Sequence, residues 1–413
     1  GQGDGVFDNT KIIKGIMEEC KEFQCTVIIP SPGTFLTGAF ELVSYLTLEI
    51  ERGASLLFIP DPNMYPNIPY PEHPSLSSYP KPSHPVHSPL IRAYNLTEVR
   101  ITGGGVIDGN GEWHSWEHEA PVATLYIIGC KDVLVNNIRF EESVGMAMHV
   151  QYSLAVKVVD VTIVAKETTY ADGILVDSSR HVEVVGFRYE GGGLAFAIAS
   201  GDGYEGRAVN IPTQDVILSS SNIIGGRGVG MLSAMAGGFR NITYSRLLLD
   251  GRLSRAHGES KSMGGVRIKS KVSVTGGHVE DILFEHIYGI SLHHGIQIDM
   301  FKHMDGDYMH SRHDESREGR HGGQGLAAGR PDRVEMSGLR FKNITVEGVE
   351  DDCGAFEILE DSPIHQVHME DVNFIRCHKP WKCGPGKVYG TALNVNPPLP
   401  SGCMLPEMAT RGG

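Results

Sequence analysis

Two short stretches contain the residues whose types and spacing could do chemistry. Asp172 opens the apolar alternation "DGILV", whereas Leu194 opens the corresponding stretch "LAFAI" one repeat later. Further along the chain, "VRIKS" places Arg267 and Lys269 on one face of a strand. A carboxyl group can transfer protons, and the arginine fork matches a carboxylate. These residue types could transfer a proton and bind an acidic group, and one repeat after Asp172 the corresponding position carries Leu194 instead of a second carboxylate.

The elements that must position these residues form a repeat. One phrase returns in the same order along the chain, as in "EVRITGGGVIDG" from Glu98, "DVLVNNIRFEES" from Asp132, "AVKVVDVTIVAK" from Ala155 and "HVEVVGFRYEGG" from His181. Its spacing is roughly two dozen residues, which is in the range of solenoid coils. The spacing is longer where a loop is inserted.

A second series of short strands lies between these phrases. "MAMHVQYS", "DGILVDSS", "AFAIASGD" and "GIQIDMFK" alternate with period two, as a strand with one buried face requires. A strand this short buries its apolar face only by stacking on the next coil. A sandwich also has short strands, but it does not repeat one phrase in one order. We therefore predict an all-β parallel β-helix that forms a single domain over residues 1–413.

The segments outside the repeat are predicted separately. Helical spacing of apolar residues predicts an amphipathic helix over 8–23 that caps the open end of the solenoid. Residues 60–89 are rich in proline and 302–332 are rich in glycine and histidine, so both are predicted to be inserted loops. Residues 377–413 are predicted to form a C-terminal tail.

No metal site is predicted. The histidines of the second loop lack regular ligand spacing, which favours a solvated loop; they are His303, His310, His313 and His321.

Charge and cysteine content restrict the class of protein. The formal net charge is −14 and no basic stripe offsets it, which argues against nucleic-acid binding. Apolar runs are too short to span a bilayer, and the first residues, "GQGDGVFDNT", show no leader, so we expect any signal peptide to have been removed. Close cysteine pairs suit short-loop disulfides of an oxidising compartment, and the candidates are Cys20 with Cys25 and Cys377 with Cys383, although the sequence does not determine the connectivity. With three glycosylation sequons, at Asn95, Asn241 and Asn343, these pairs predict a secreted glycoprotein.

Several motifs in this order resemble glycoside hydrolase family 28, the polygalacturonases, and within it the exo-acting branch. They include "GDGVFDNTKIIKGIMEEC", "GGGVIDGNGEWHSW", "IASGDGYEGRAVNIPTQDVIL" and "GGVRIKS". The resemblance covers nearly the whole chain. It implies a right-handed parallel β-helix of the pectin-lyase type, secretion, and hydrolysis of pectic galacturonan with inversion and without a cofactor.

The resemblance also implies where the catalytic residues would stand, and most are replaced. The family's Asn-Thr-Asp turn falls on residues 170–172 and retains the aspartate, Asp172. Its Asp-Asp pair falls on Gly193 and Leu194, and its histidine falls on Val229. The family's Arg-Ile-Lys strand is intact at residues 267–269, so Arg267 and Lys269 would bind the uronate.

Other carboxylates are poor replacements for the missing acids. Asp177, Asp202 and Glu205 lie several residues from the required positions, and errors of about 1 Å already cost roughly a hundredfold in rate. Asp172 itself is either a surviving catalytic residue or an Asx-turn acceptor. Arg267 and Lys269 either bind an acidic glycan or pair with local acids, such as Asp299 or Asp172.

The face that carries these positions is mostly aliphatic. Such a surface marks a protein contact, with another extracellular protein or a second copy, if it is exposed. If flanking loops cover it, it is ordinary core. The candidate interface residues are Leu175, Leu194, Val229 and Leu232.

Two functions follow. The first is a secreted, non-hydrolytic protein on a polygalacturonase scaffold that serves as a structural, assembly or glycan-binding component. The second is an active inverting hydrolase of a pectin-like or other acidic polysaccharide. Neither requires a cofactor.

Overall fold

A computed structural model describes the fold over residues 1–68, 86–111, 123–165, 171–201, 203–253, 263–271, 276–302 and 333–407. The predicted loop over 302–332 lies almost wholly outside these residues, as does most of 60–89. Within the described part of the first loop, residues 62–64 form a 3-10 turn, and β7 (Asn67–Ile68) pairs antiparallel with β8 (Val86–His87).

The rest of the described chain winds into a right-handed parallel β-helix, as predicted. Sheet 1 has 19 strands within the described ranges: β1 (Asp4–Asp8), β2 (Cys25–Ile29), β3 (Gly33–Thr37), β5 (Leu46–Ile50), β6 (Ala54–Phe58), β10 (Thr97–Thr102), β11 (Val106–Asp108), β13 (Lys131–Asn136), β14 (Arg139–Glu141), β16 (Leu154–Val159), β17 (Thr162–Ala165), β19 (Arg180–Val185), β20 (Arg188–Gly191), β22 (Thr213–Ile224), β24 (Phe239–Asp250), β26 (His278–Leu292), β28 (Glu335–Asp352), β30 (Ile364–Lys379) and β32 (Val388–Asn396).

Sheet 2 carries the candidate site and has 11 described strands: β4 (Phe40–Glu41), β9 (Ile91–Tyr94), β12 (Ala123–Ile128), β15 (Met146–Gln151), β18 (Asp172–Asp177), β21 (Phe196–Ala199), β23 (Val229–Met231), β25 (Val266–Lys271), β27 (Ile296–Lys302), β29 (Gly354–Glu357) and β31 (Lys382–Cys383). These strands stack in chain order, one from each coil. Each therefore places its outward side chains directly beside those of the next coil.

Coil corners are made by residues in the left-handed conformation. Asn137, Asp160 and Gly186 have φ of 53°, 52° and 69° and separate the two sheet 1 strands of their coils. Glycine, asparagine and aspartate adopt this conformation most readily. In later coils the equivalent residues Ser220 and Arg246 bend one long strand around the same corner.

Alternation drives the packing, because inward residues of successive coils stack in the core. Val133, Val156 and Val182 align in register along sheet 1. Further on, Tyr244 and Phe284 stack with ring centroids 4.7 Å apart, and Phe284 stacks on Phe341 at 5.3 Å. The stack continues the core where the repeat spacing is most irregular.

The predicted N-terminal helix is present as α1 (Thr10–Glu19), followed by a short 3-10 turn over Cys20–Glu22. Ile13 and Met17 are buried in the main core, whereas Ile12 and Ile16 remain partly exposed. A second helix, α2 (Gly203–Val209), follows β21. None of the helices in the described ranges is long and apolar enough to cross a membrane.

The disulfides confirm one predicted pair and correct the other. Cys20 pairs with Cys25, as expected from their spacing. Cys377 pairs with Cys353 instead of Cys383. The reason is the coil register, because β30 brings Cys377 beside the residues that lead into β29, one turn earlier.

Cys383 in turn pairs with Cys403 in the C-terminal segment, while Cys130 is free and buried. The segment predicted as a tail therefore contains β31, β32 and a disulfide that ties its end to the solenoid.

Candidate functional site

Asp172 is the first residue of β18 and is buried within the outer layer of sheet 2. One of its oxygens, Oδ1, accepts a hydrogen bond from the Leu194 backbone N–H at 2.5 Å and lies 3.4 Å from a guanidinium nitrogen of Arg227. Within the described residues, both contacts come from later coils rather than from its own turn, which does not support the Asx-turn alternative. Burial raises the pKa of this carboxyl, while the Arg227 charge and the Leu194 N–H oppose that rise.

Gly193 and Leu194 occupy the coil next to Asp172, and their backbone closes tightly over it. A Cβ placed on Gly193 would lie 2.4 Å from the Ala171 carbonyl oxygen and 2.6 Å from Asp172 Oδ1. Both separations are far shorter than van der Waals contact. A side chain of any kind at Gly193 would require the backbone to move.

Tyr189, whose side chain is buried in the core, stabilises this close approach of the two turns by hydrogen bonds. Its buried hydroxyl donates to the Ala171 carbonyl oxygen and accepts from the Gly193 N–H, each at 2.8 Å. One hydroxyl thus bridges the two turns that precede β18 and β21. The sequence offered no specific signal for this role.

Val229 does not lie on the outer face. It aligns with Phe196 and Val266 on neighbouring coils and belongs to the main core, fully buried. Its assignment as an interface residue is therefore wrong, because the register turns it inward. Two residues earlier, Arg227 occupies the outward position and reaches Asp172. Its position in the glycine-flanked stretch "GGRGVG" was the signal that sequence reasoning missed.

The predicted aliphatic interface is also covered. Leu175 and Leu232 are 4% and 7% exposed, and they form a cluster with Met146, Ala197, Ala199 and Ala234. Leu194 is partly buried and packs against this cluster. Because the chain itself buries these side chains, they form a small second core and not an open docking surface.

Arg267 and Lys269 lie on the outer side of β25, both half-buried. Arg267 Nε donates to the Gln297 side-chain oxygen at 3.2 Å, and Lys269 is in register with Asp299 on β27. The structure thus pairs Asp172 with Arg227 rather than with these cations. Arg267 follows Leu175 along the same outward row after the intervening positions Ala197 and Gly230.

Asp177, at the other end of β18, is fully buried and held by donors. Its oxygens accept from Gln151 Nε2 at 2.9 Å, from the Ser178 hydroxyl at 2.8 Å and from the Gly201 N–H at 3.2 Å. At about 3.3 Å per residue, it stands roughly 16 Å along the strand from Asp172. It is a structural carboxylate. Of the other replacements considered, Asp202 and the side chain of Glu205 lie outside the described residues.

His149 lies beside Leu175 on the same outward row and stacks on Tyr126, with ring centroids 4.7 Å apart. Burial lowers its pKa to about 3, so the ring is neutral at physiological pH. Its Nε2 atom is buried without a hydrogen-bond partner in the described part of the chain.

The three sequon asparagines are exposed and occupy left-handed corners. Asn95, Asn241 and Asn343 have φ of 53°, 52° and 49°. The Asn241 amide donates to Asp215, and the Asn343 amide contacts His286 Nδ1 at 2.7 Å. Their exposure leaves them accessible for modification, and their occupancy stays a prediction.

Comparison with known proteins gives a consistent result. The model of the family described as "Glycosyl hydrolases family 28" matches residues 81–389. A "Probable polygalacturonase" of Vitis vinifera is 27% identical over 299 residues, which are 68% of this chain and 57% of that protein. An "Exo-poly-alpha-D-galacturonosidase" of Dickeya chrysanthemi is 32% identical over 127 residues, covering 29% of this chain and 19% of its own length. The chain thus spans less than two thirds of either relative.

Solved structures show the same fold. A hyperthermoactive exopolygalacturonase from Thermotoga maritima superposes with a TM-score of 0.69 at 19% identity, covering 90% of this chain and 86% of the other. The polygalacturonase from Erwinia carotovora gives 0.70 at 18% identity, covering 94% and 95%. At these identities the likeness establishes the β-helix and leaves the chemistry to the residues themselves.

Proposed function

The chain belongs to glycosyl hydrolases family 28, and from that premise we propose that it binds an acidic, pectin-like polysaccharide outside the cell without hydrolysing it. Inverting hydrolysis needs a carboxylic acid and a carboxylate about 6.5–9.5 Å apart, with a water between them. Beside Asp172, the adjacent described coils carry Met146 and Leu194 instead. This apolar neighbourhood of a single acid is the observation that carries the proposal.

The contacts of Asp172 support a structural role for that acid. Arg227 and the Leu194 N–H hold the carboxylate in a buried site, and Gly193 leaves no room for a second side chain. A catalytic acid must reach the oxygen of a leaving sugar. Here the carboxylate instead ties three successive coils together.

Arg267 and Lys269 support ligand binding. They are half-buried cations on the outer side of sheet 2 in a protein whose net charge is −14. A local cationic site lets an acidic glycan bind despite that overall repulsion. The guanidinium is the group that best recognises a uronate carboxylate.

One observation favours hydrolysis as the second candidate function. Burial raises the pKa of Asp172, which is the usual way to keep a general acid protonated. An enzyme of this kind would need a second carboxylate from the segments outside the described residues. Asp202 is one such group.

Three disulfides support an extracellular location, because disulfides persist in oxidising compartments. The covered aliphatic cluster gives no support to an assembly role through Leu175 and Leu232. Glycan binding is therefore the version of the non-hydrolytic hypothesis that we retain.

The test uses the whole chain with oligogalacturonates and polygalacturonate. We expect calorimetry to show binding that Arg267→Gln weakens at least tenfold, while Lys157→Gln, an exposed lysine paired with Glu183 on sheet 1, leaves it unchanged. Reducing-end assays should show no turnover. Turnover that Asp172→Asn abolishes would establish the hydrolase instead, and absence of glycan binding would refute the proposal.

A further inference from the structure

Two adjacent histidines and an aspartate converge at the edge of sheet 2. His293 and His294 form the turn between β26 and β27, and Asp351 lies near the end of β28 on the next coil. One potential ligand atom from each residue lies within 4.8 Å of the other two. No metal site was predicted from the sequence. This cluster is separate from the histidines of the predicted loop over 302–332.

The backbone holds the three residues in place. The His293 N–H donates to the Met263 carbonyl oxygen at 2.7 Å, and the Asp351 N–H donates to the His293 carbonyl oxygen at 3.0 Å. The centroids of the two imidazole rings are 4.3 Å apart, and the ring planes are inclined by 55° to each other. Because the cluster is fixed by main-chain contacts between three coils, binding of a ligand would require little rearrangement.

Two atoms of the cluster lack the partners that buried polar atoms normally have. Nδ1 of His293 and Nδ1 of His294 are both buried without a hydrogen bond within the described residues. Most buried polar side-chain atoms are satisfied, and each exception needs an explanation. An ion held between the rings would supply it.

We propose that His293, His294 and Asp351 bind a divalent transition-metal ion, with zinc as the best fit. Two imidazoles and a carboxylate are a common ligand set for zinc, and three protein ligands leave one coordination position open.

The surrounding charges fit the role of outer partners. Lys379 forms an ion pair with Asp351, and the Glu350 carboxylate lies 3.8 Å from His293 Nδ1. Lys379 can orient the ligating carboxylate as outer partners do in metal centres, and the negative charge of Glu350 favours a cation bound beside His293 Nδ1. Metal binding itself does not depend on the proposed glycan function.

The test is metal binding by the tag-free chain, without glycan. Equilibrium dialysis should show one zinc ion per chain, and cobalt should give the visible absorption bands of a site with nitrogen ligands. His294→Ala and Asp351→Asn should each weaken zinc binding by about 100-fold or more, beyond the upper end of the range for losing an outer partner.

Two controls make the result specific. His278→Ala removes an exposed histidine that contacts Glu335 and should leave binding unchanged. Replacing His303, His310, His313 and His321 together should also leave it unchanged. Absence of stoichiometric binding, loss of binding in the loop variant, or equal affinity in His294→Ala and the parent chain would overturn the proposal. Circular dichroism shows whether each variant has folded. If His294→Ala fails to fold, the proposal is tested on Asp351→Asn with cobalt. A cobalt spectrum of Asp351→Asn identical to that of the parent chain would overturn it.

Discussion

Removal of Arg227 is the sharpest test of the site's electrostatics. The Arg227 and Asp172 side chains are 18% and 11% exposed, and their nearest charged atoms are 3.4 Å apart. At an effective dielectric constant of about 20, that separation corresponds to roughly 5 kcal/mol of attraction. Breaking a buried pair by removing one partner typically costs about 3–5 kcal/mol, because the other charge stays buried. We expect Arg227→Met to lower the free energy of unfolding by about 3–5 kcal/mol at pH 7.

The loss of stability in Arg227→Met should depend on pH in a definite direction. Burial already raises the pKa of Asp172, and Arg227 is the largest influence opposing that rise. In Arg227→Met the folded-state pKa rises further, so the folded state holds a proton that the unfolded state has released. Stability then falls as pH rises from the ordinary aspartate pKa to the raised value. The deficit of the variant should be smallest at acidic pH and full at neutral pH.

Chemical denaturation at several pH values measures this effect. Arg240→Met is the matched control, since Arg240 is 65% exposed and pairs with Glu280; exposed pairs contribute about 0–1 kcal/mol. Asp172→Asn combined with Arg227→Met should recover much of the loss, because no buried charge remains. Equal stability of the two methionine variants, or no recovery in the double variant, would refute the assigned pairing.

Three further predictions concern the solenoid. Gly193→Ala should destabilise the fold by at least about 1–3 kcal/mol through overpacking. Gly15→Ala, at an open helix position, should stabilise it by about 0.5–1 kcal/mol. If thermal melts show Gly193→Ala to be the more stable variant, the turn at Gly193 is not tightly closed. Replacing Cys353 and Cys377 by serine opens a 24-residue loop and should cost about 3.5 kcal/mol, and peptide mapping of the parent chain should recover these two cysteines in one linked fragment. Phe284→Ala removes the centre of the aromatic stack and should cost about 3–5 kcal/mol; a loss below 1 kcal/mol in urea unfolding would show that the stack is not tightly packed.

Much of the fold could be predicted because its rules are local. Period-two alternation selects strands, and a repeat that cannot bury its apolar face without a neighbour selects stacking. The N-terminal helix and the Cys20–Cys25 disulfide depend on residues close together in the chain. The sequence also placed Leu194 on the coil beside Asp172, which the structure confirms.

The site depended on contacts that local rules do not determine. Residues in register are 26 apart between β15 and β18 but 57 apart between Ile282 and Leu339, because insertions change the length of each coil. A shift of two residues decides whether Arg227 or Val229 faces Asp172. The same register joins Cys353 to Cys377 and brings His293 and His294 to Asp351. The sequence by itself indicated the repeat and showed which residues stand at the positions that the family resemblance assigns to catalysis. The tertiary structure decided which side chains meet, because stacking of coils of unequal length brings together residues whose spacing along the chain varies.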